Sequence, residues 1–102
     1  MTWNRVGQYD VSANSTINVP IPDGNEVLIY YGWNNGEIQV FGGGSIVLAK
    51  DTSVSTHPCV IPWSTNSETG ETVGIAYMFL FPDDNLALSS KNVTTRFVVF
   101  YR

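Results

Sequence analysis

The sequence predicts an all-β protein, an antiparallel two-sheet β-sandwich of about eight strands, jelly-roll-like or immunoglobulin-like in general shape. Three observations predict it. β-branched and aromatic residues far outnumber good helix formers, and only four of 102 residues are alanine. Such side chains suit a pleated, half-buried surface and lose rotamer freedom in a helix. Turn signals recur every 8–15 residues or so, the rhythm of a sandwich or barrel. No connecting segment is long and periodic enough to be a crossover helix, so the strands pair antiparallel.

The elements follow in order. An apolar segment over Thr2–Tyr9 is the first strand, and the polar stretch Asp10–Ser15 turns the chain. Thr16–Ile21 alternates, with Ile17, Val19 and Ile21 on one face. Pro20 cannot donate to a ladder, which puts this strand at an edge or ends it there. Pro22-Asp23-Gly24-Asn25 is a turn, since Pro presets φ and Gly or Asn accepts positive φ. Glu26–Tyr31 is apolar on both faces after Glu26 and reads as a central strand. Asn34-Asn35-Gly36 is a hairpin turn.

Glu37–Phe41 follows, with Ile38 and Val40 expected inward. Gly42-Gly43-Gly44 is expected to break it, and Ser45–Ala49 to begin another strand. Lys50–His57 is polar loop. Pro58–Trp63 is a short strand bracketed by prolines, hence expected at an edge. Glu71–Phe81 is the longest strand. Val73, Ile75, Tyr77, Phe79 and Phe81 share one face; Gly74, Ala76, Met78 and Leu80 share the other. Pro82-Asp83-Asp84-Asn85 stops it. Leu86–Ser90 is short and ambiguous. Thr94–Arg102 is a terminal strand tied into a sheet.

One domain covers residues 1–102. The length is near the commonest domain size, and no linker, repeat or low-complexity tract divides it. Hydrophobic content of 43% excludes intrinsic disorder, while only 14% of residues are charged. Net charge is −4, and the five basic residues are scattered. A phosphate-backbone binder needs a basic patch, so nucleic acid is not an expected partner. No apolar run approaches the roughly 20 residues of a membrane-spanning helix, and membrane insertion is not expected. Met1-Thr2-Trp3-Asn4-Arg5 carries no apolar stretch of the signal-peptide kind. The expectation is a soluble chain, or one cut from a longer one.

Nothing in the sequence carries a specific catalytic signature. The single cysteine, Cys59, precludes an internal disulfide, and its neighbours Val60 and Ile61 favour a buried, inert thiol. His57 lies two residues away, but Pro58 intervenes and the pair does not aim at a common atom. No Gly-x-Ser-x-Gly accompanies this single histidine. Asp83-Asp84-Asn85 offers oxygen ligands without the spacing of a calcium loop, and a strand-stopping turn explains it better. Asp10, Asp51, Glu68 and Glu71 sit at turns, where solvated charge is the default over a glycosidase pair. Gly42-Gly43-Gly44-Ser45 lacks the Lys and the helix of a phosphate cradle. Asn14-Ser15-Thr16 and Asn92-Val93-Thr94 are glycosylation sequons of the kind that nine asparagines among nine serines and nine threonines produce by chance. No cofactor, no metal and no enzymatic activity are expected.

The aromatic residues are more informative. Tyr31 and Trp33 precede the Asn34-Asn35 turn, and Trp63 stands at a strand end before a polar loop. Aromatic faces stack on sugar rings while neighbouring amides bind hydroxyls, which makes Tyr31, Trp33, Asn34, Asn35 and Trp63 a candidate glycan site. The competing reading has both indoles plugging the ends of the core, each N–H on a loop carbonyl.

The opening third reads Trp3-Asn4-Arg5-Val6-Gly7-Gln8-Tyr9, then Ser15-Thr16-Ile17-Asn18-Val19-Pro20, then Asn25-Glu26-Val27-Leu28-Ile29. Over residues 3–31 this resembles the small β-domains near the C-terminal ends of bacteriophage tail fibres and related virion proteins. Beyond residue 31 only composition is shared. The resemblance implies a non-enzymatic virion domain that self-associates as a homotrimer, or attaches the particle to a host-surface glycan or protein through its loops. Location in the virion is part of that expectation. Two rival readings are a free-standing carbohydrate-binding module and a purely structural capsid or tail assembly protein.

Overall fold

The computed structural model describes residues 2–23, 25–34, 40–49, 59–81 and 83–102. Eight strands and no helix occur among them: β1 (Asn4–Val11), β2 (Ser15–Pro20), β3 (Glu26–Asn34), β4 (Val40–Ala49), β5 (Cys59–Thr65), β6 (Thr72–Leu80), β7 (Asn85–Lys91) and β8 (Thr95–Tyr101). They form two antiparallel four-stranded sheets, the first ordered β1-β8-β3-β4 and the second β2-β7-β6-β5. This is the β-sandwich that the composition and turn rhythm predict.

The pairing of β1 with β8 and of β2 with β7 nests the chain ends around the middle, as in a rolled-up hairpin of the jelly-roll type. In the immunoglobulin order the first strand pairs with the second instead. Toward the middle the roll gives way to local pairing. β3 and β4 form one hairpin, and β5, β6 and β7 form a meander.

Each sheet buries one face by the period of two. The first contributes Val11, Val27, Ile29, Phe97 and Val99 to the core. The second contributes Val19, Ala76, Met78, Leu80, Leu86 and Leu88. Pro20 closes β2, an edge strand, and Pro62 lies in β5, the other edge of the same sheet. Both positions are where a residue without an N–H does least harm. β8 lies between β1 and β3, so the last strand is interior.

Two expectations need correction. The triple glycine does not break the chain: β4 runs from Val40 to Ala49 straight through it. The ladder with β3 shifts between Tyr31 and Trp33, and Gly42 adopts φ +77° there. At Gly43 a Cβ would fall 1.8 Å from the Tyr31 carbonyl oxygen. Glycine thus lets two backbones approach in a bulge rather than ending a strand. The ambiguous Leu86–Ser90 is the body of β7, an interior strand with Leu86, Leu88 and Ser90 buried. The Asn34-Asn35-Gly36 turn, apart from the Asn34 backbone, and Glu37–Gln39 lie outside the described residues, as does Lys50–Pro58.

Candidate functional site

The most distinctive constellation lies where the two sheets meet beyond the core. Trp33 comes from β3 in the first sheet and Trp63 from β5 in the second. Their rings stand edge-to-face, centroids 4.8 Å apart with an interplanar angle of 77°. Such aromatic pairs contribute about 0.5–1.5 kcal/mol beyond simple burial. Trp63 packs against the core, whereas Trp33 remains 40% exposed. Of the two expected core plugs, Trp63 packs as one, though its N–H meets the Thr95 hydroxyl on β8 and not a loop carbonyl, and Trp33 does so only in part.

Trp63 is fixed by a polar relay. Its indole N–H donates to Thr95 Oγ1 at 3.3 Å, and Thr95 Oγ1 lies 2.5 Å from Ser90 Oγ. The Ser90 hydroxyl donates to the Val93 carbonyl. A serine has one proton to give. The Thr95 hydroxyl therefore donates to Ser90, and the relay runs in one direction from Trp63 to Val93. Thr95 and Ser90 are buried, so each link replaces a hydrogen bond that water no longer supplies. The relay ties β5, β8 and β7 together beneath the aromatic pair.

Glycines shape the side next to Trp33. A Cβ on Gly42 would stand 3.1 Å from Trp33 Cδ1, so this residue lies directly against the indole. Alongside runs an open pocket of about 240 Å³ lined by Tyr30, Tyr31, Gly42, Gly43, Gly44 and Ser45. Tyr31 is itself buried, its ring in the core and its hydroxyl close to Gly44. Burial pushes its phenol pKa up, with a smaller contribution from Cys59. The tyrosine that offers surface is its neighbour Tyr30, 40% exposed. Alternation along β3 distinguishes the two, but a segment apolar on both faces hides which set points inward. Asn34 ends β3, and its side chain and Asn35 lie outside the described residues.

Other candidates find ordinary surroundings. Asp83 Oδ1 accepts from the Asn85 N–H at 3.3 Å, and Asp84 has φ +71°, so both build the turn between β6 and β7. Glu68 and Glu71 flank the exposed β5–β6 turn, where Asn66 Oδ1 accepts from the Glu68 and Thr69 amides. Cys59 is half-buried, and burial raises its thiol pKa. Asp51 and His57 lie outside the described residues. The sequon asparagines Asn14 and Asn92 both adopt positive φ, and Asn14 Oδ1 accepts from the Asn92 N–H at 3.2 Å. Among the described residues no three His, Cys, Asp or Glu side chains gather as a metal site would require.

Two ion pairs lie on the first sheet. Arg96 donates from Nε and Nη2 to the two Asp10 oxygens, at 2.7 and 2.9 Å. This fork is the strong, planar form of the ion pair, and chiefly through it the Asp10 carboxyl is held below its ordinary value. Arg96 Nη1 and Gln8 Oε1 are buried with no hydrogen-bond partner among the described residues. Arg102 pairs with Glu26 at 3.1 Å and lies 4.0 Å over the Trp3 ring.

The arrangement supplies a rigid, half-exposed aromatic surface beside a shallow glycine-floored pocket. It is suited to stacking against a flat apolar or sugar face. Comparison with protein-family models, with curated proteins and with solved structures gives no match.

Proposed function

We propose that this chain is a non-enzymatic attachment domain of the phage tail-fibre kind, working in the virion by binding a host-surface glycan at the Trp33 end of the sandwich. The observation that carries the reading is the exposed Trp33 indole, held edge-to-face by a Trp63 that is itself hydrogen-bonded into the core. A stacking platform works best when it is already ordered, because binding then immobilises little. The adjoining pocket beside Gly42 extends the platform. The resemblance over residues 3–31 supports the virion setting.

A glycan array probed with the whole chain tests this reading. Binding to a defined set of glycans, lost in Trp33→Ala and kept in Trp3→Ala, is the expected result. Binding that is unchanged in Trp33→Ala contradicts it.

A second reading, a structural virion protein that binds only protein, is favoured by a different observation. Both sheets carry large apolar side chains on their outer faces, including Tyr30 and Val47 on the first and Val60 and Phe81 on the second. An empty glycan array together with stable assembly favours that reading instead.

A further inference from the structure

β6 carries its bulk on the wrong side for a lone sandwich. The residues that β6 turns to the core are Gly74, Ala76, Met78 and Leu80, all buried. The opposite face carries Val73, Ile75, Tyr77 and Phe79, with Phe81 continuing the row just past the strand. A solvated outer face reads polar in alternation. Here the outward set is larger and more aromatic than the inward one. Val60 and Pro62 on β5 stand opposite Tyr77 and Ile75, and Ala87 on β7 stands opposite Phe79.

The face is continuous and almost uncharged. Across β7 and β2 its remaining outward positions are Asn85, Ser89, Lys91, Thr16, Asn18 and Pro20. Lys91, at the end of β7, is the only one of all these outward positions with a charged side chain. The outer face of the first sheet differs: Asp10, Arg96, Glu26 and Arg102 are spread across it in ion pairs. Phe79 and Phe81 already pack ring to ring, 4.4 Å between centroids, so the aromatic row is ordered before anything covers it.

We infer that the outer face of the second sheet packs against another copy of this chain. Size supports this occupant. Four strands about 4.8 Å apart, averaging seven residues at about 3.3 Å each, present roughly 450 Å² in projection. Side-chain relief raises that toward the roughly 800 Å² each partner buries in a standard interface. Shape and charge support it too. A twisted sheet is best matched by a sheet of the same twist, which an identical copy supplies. Most of the net charge of −4 resides elsewhere, so like charge does not keep two such faces apart. The inference does not rest on glycan binding.

Sedimentation velocity of the whole chain at micromolar concentrations tests it. The expected result is a mass of more than one copy, reverting toward the single-chain 11.3 kDa in Phe79→Ser. Truncating a central aromatic anchor of this kind weakens association by about thirtyfold or more. Val60→Lys, at a position 47% exposed on the edge strand, puts a charge on the same face without touching the core and is expected to do likewise. Tyr30→Ser, on the other sheet, is expected to leave the mass unchanged. A single-copy mass for the unmodified chain overturns the inference. So does assembly that survives both Phe79→Ser and Val60→Lys, or that Tyr30→Ser alone abolishes. Trp33→Ala lies off this face, so loss of glycan binding there with the mass intact bears on the proposed function only.

Discussion

Thr95 carries more structure than its size suggests. It accepts from Trp63 and donates to Ser90 while fully buried. Thr95→Val keeps the shape and removes both bonds, leaving the indole N–H and the Ser90 hydroxyl short of a partner. The expected cost is about 1–3 kcal/mol in urea or guanidinium unfolding. Asp10 makes a second prediction. Its folded pKa lies below the ordinary 3.8, so its contribution to stability is present above that value and lost as pH falls through the folded pKa. Asp10→Asn is therefore expected to lower Tm at neutral pH, with the difference from the unmodified chain closing in strongly acidic buffer. A difference independent of pH contradicts the ion-pair account. At this scale the sequence was only partly legible. It marks Trp33 and Trp63 as informative, but their contact joins strands from different sheets and has no local signature. Cys59 beside Val60 and Ile61 reads as a buried thiol but is only half-buried, because it lies on an edge strand and alternation turns Val60 to the other face.

Elements follow alternation where one face is clearly polar, and β2 and β5 are placed at edges by their prolines. Where both faces are apolar, as in β3 and β6, the pattern marks a strand without saying which set enters the core. The triple glycine misleads for a related reason. Glycine signals both a turn and a bulge, and only the opposing strand decides between them. Gly43 stands so close to the Tyr31 carbonyl that an alanine there must separate β3 from β4. Gly43→Ala is expected to cost several kcal/mol or to abolish cooperative melting. Gly70 has φ +75° but open space around its missing Cβ, so Gly70→Ala is expected to cost only about 1–2 kcal/mol, the backbone penalty alone. Thermal melts of the two variants side by side check the contrast.

For the whole molecule, the nested pairing of β1 with β8 and β2 with β7 brings the chain ends together around two central hairpins. Two layers bury a mostly aliphatic core that also holds Phe97 and Tyr31, and leave further aromatic surface on the outside. Composition predicts the layers, because they follow from side-chain preference summed over many residues. Strand order does not follow from such sums, since it depends on which distant segments meet. The proposed attachment role places recognition at one rigid indole rather than in an enclosed cleft. Tryptophan emission under glycan titration tests this most directly. Trp63 is held in its relay and Trp3 lies under Arg102, so the response is expected to arise at Trp33: saturable with a binding glycan in the unmodified chain, kept in Trp3→Phe and absent in Trp33→Phe. A saturable response of unchanged size in Trp33→Phe would contradict the account.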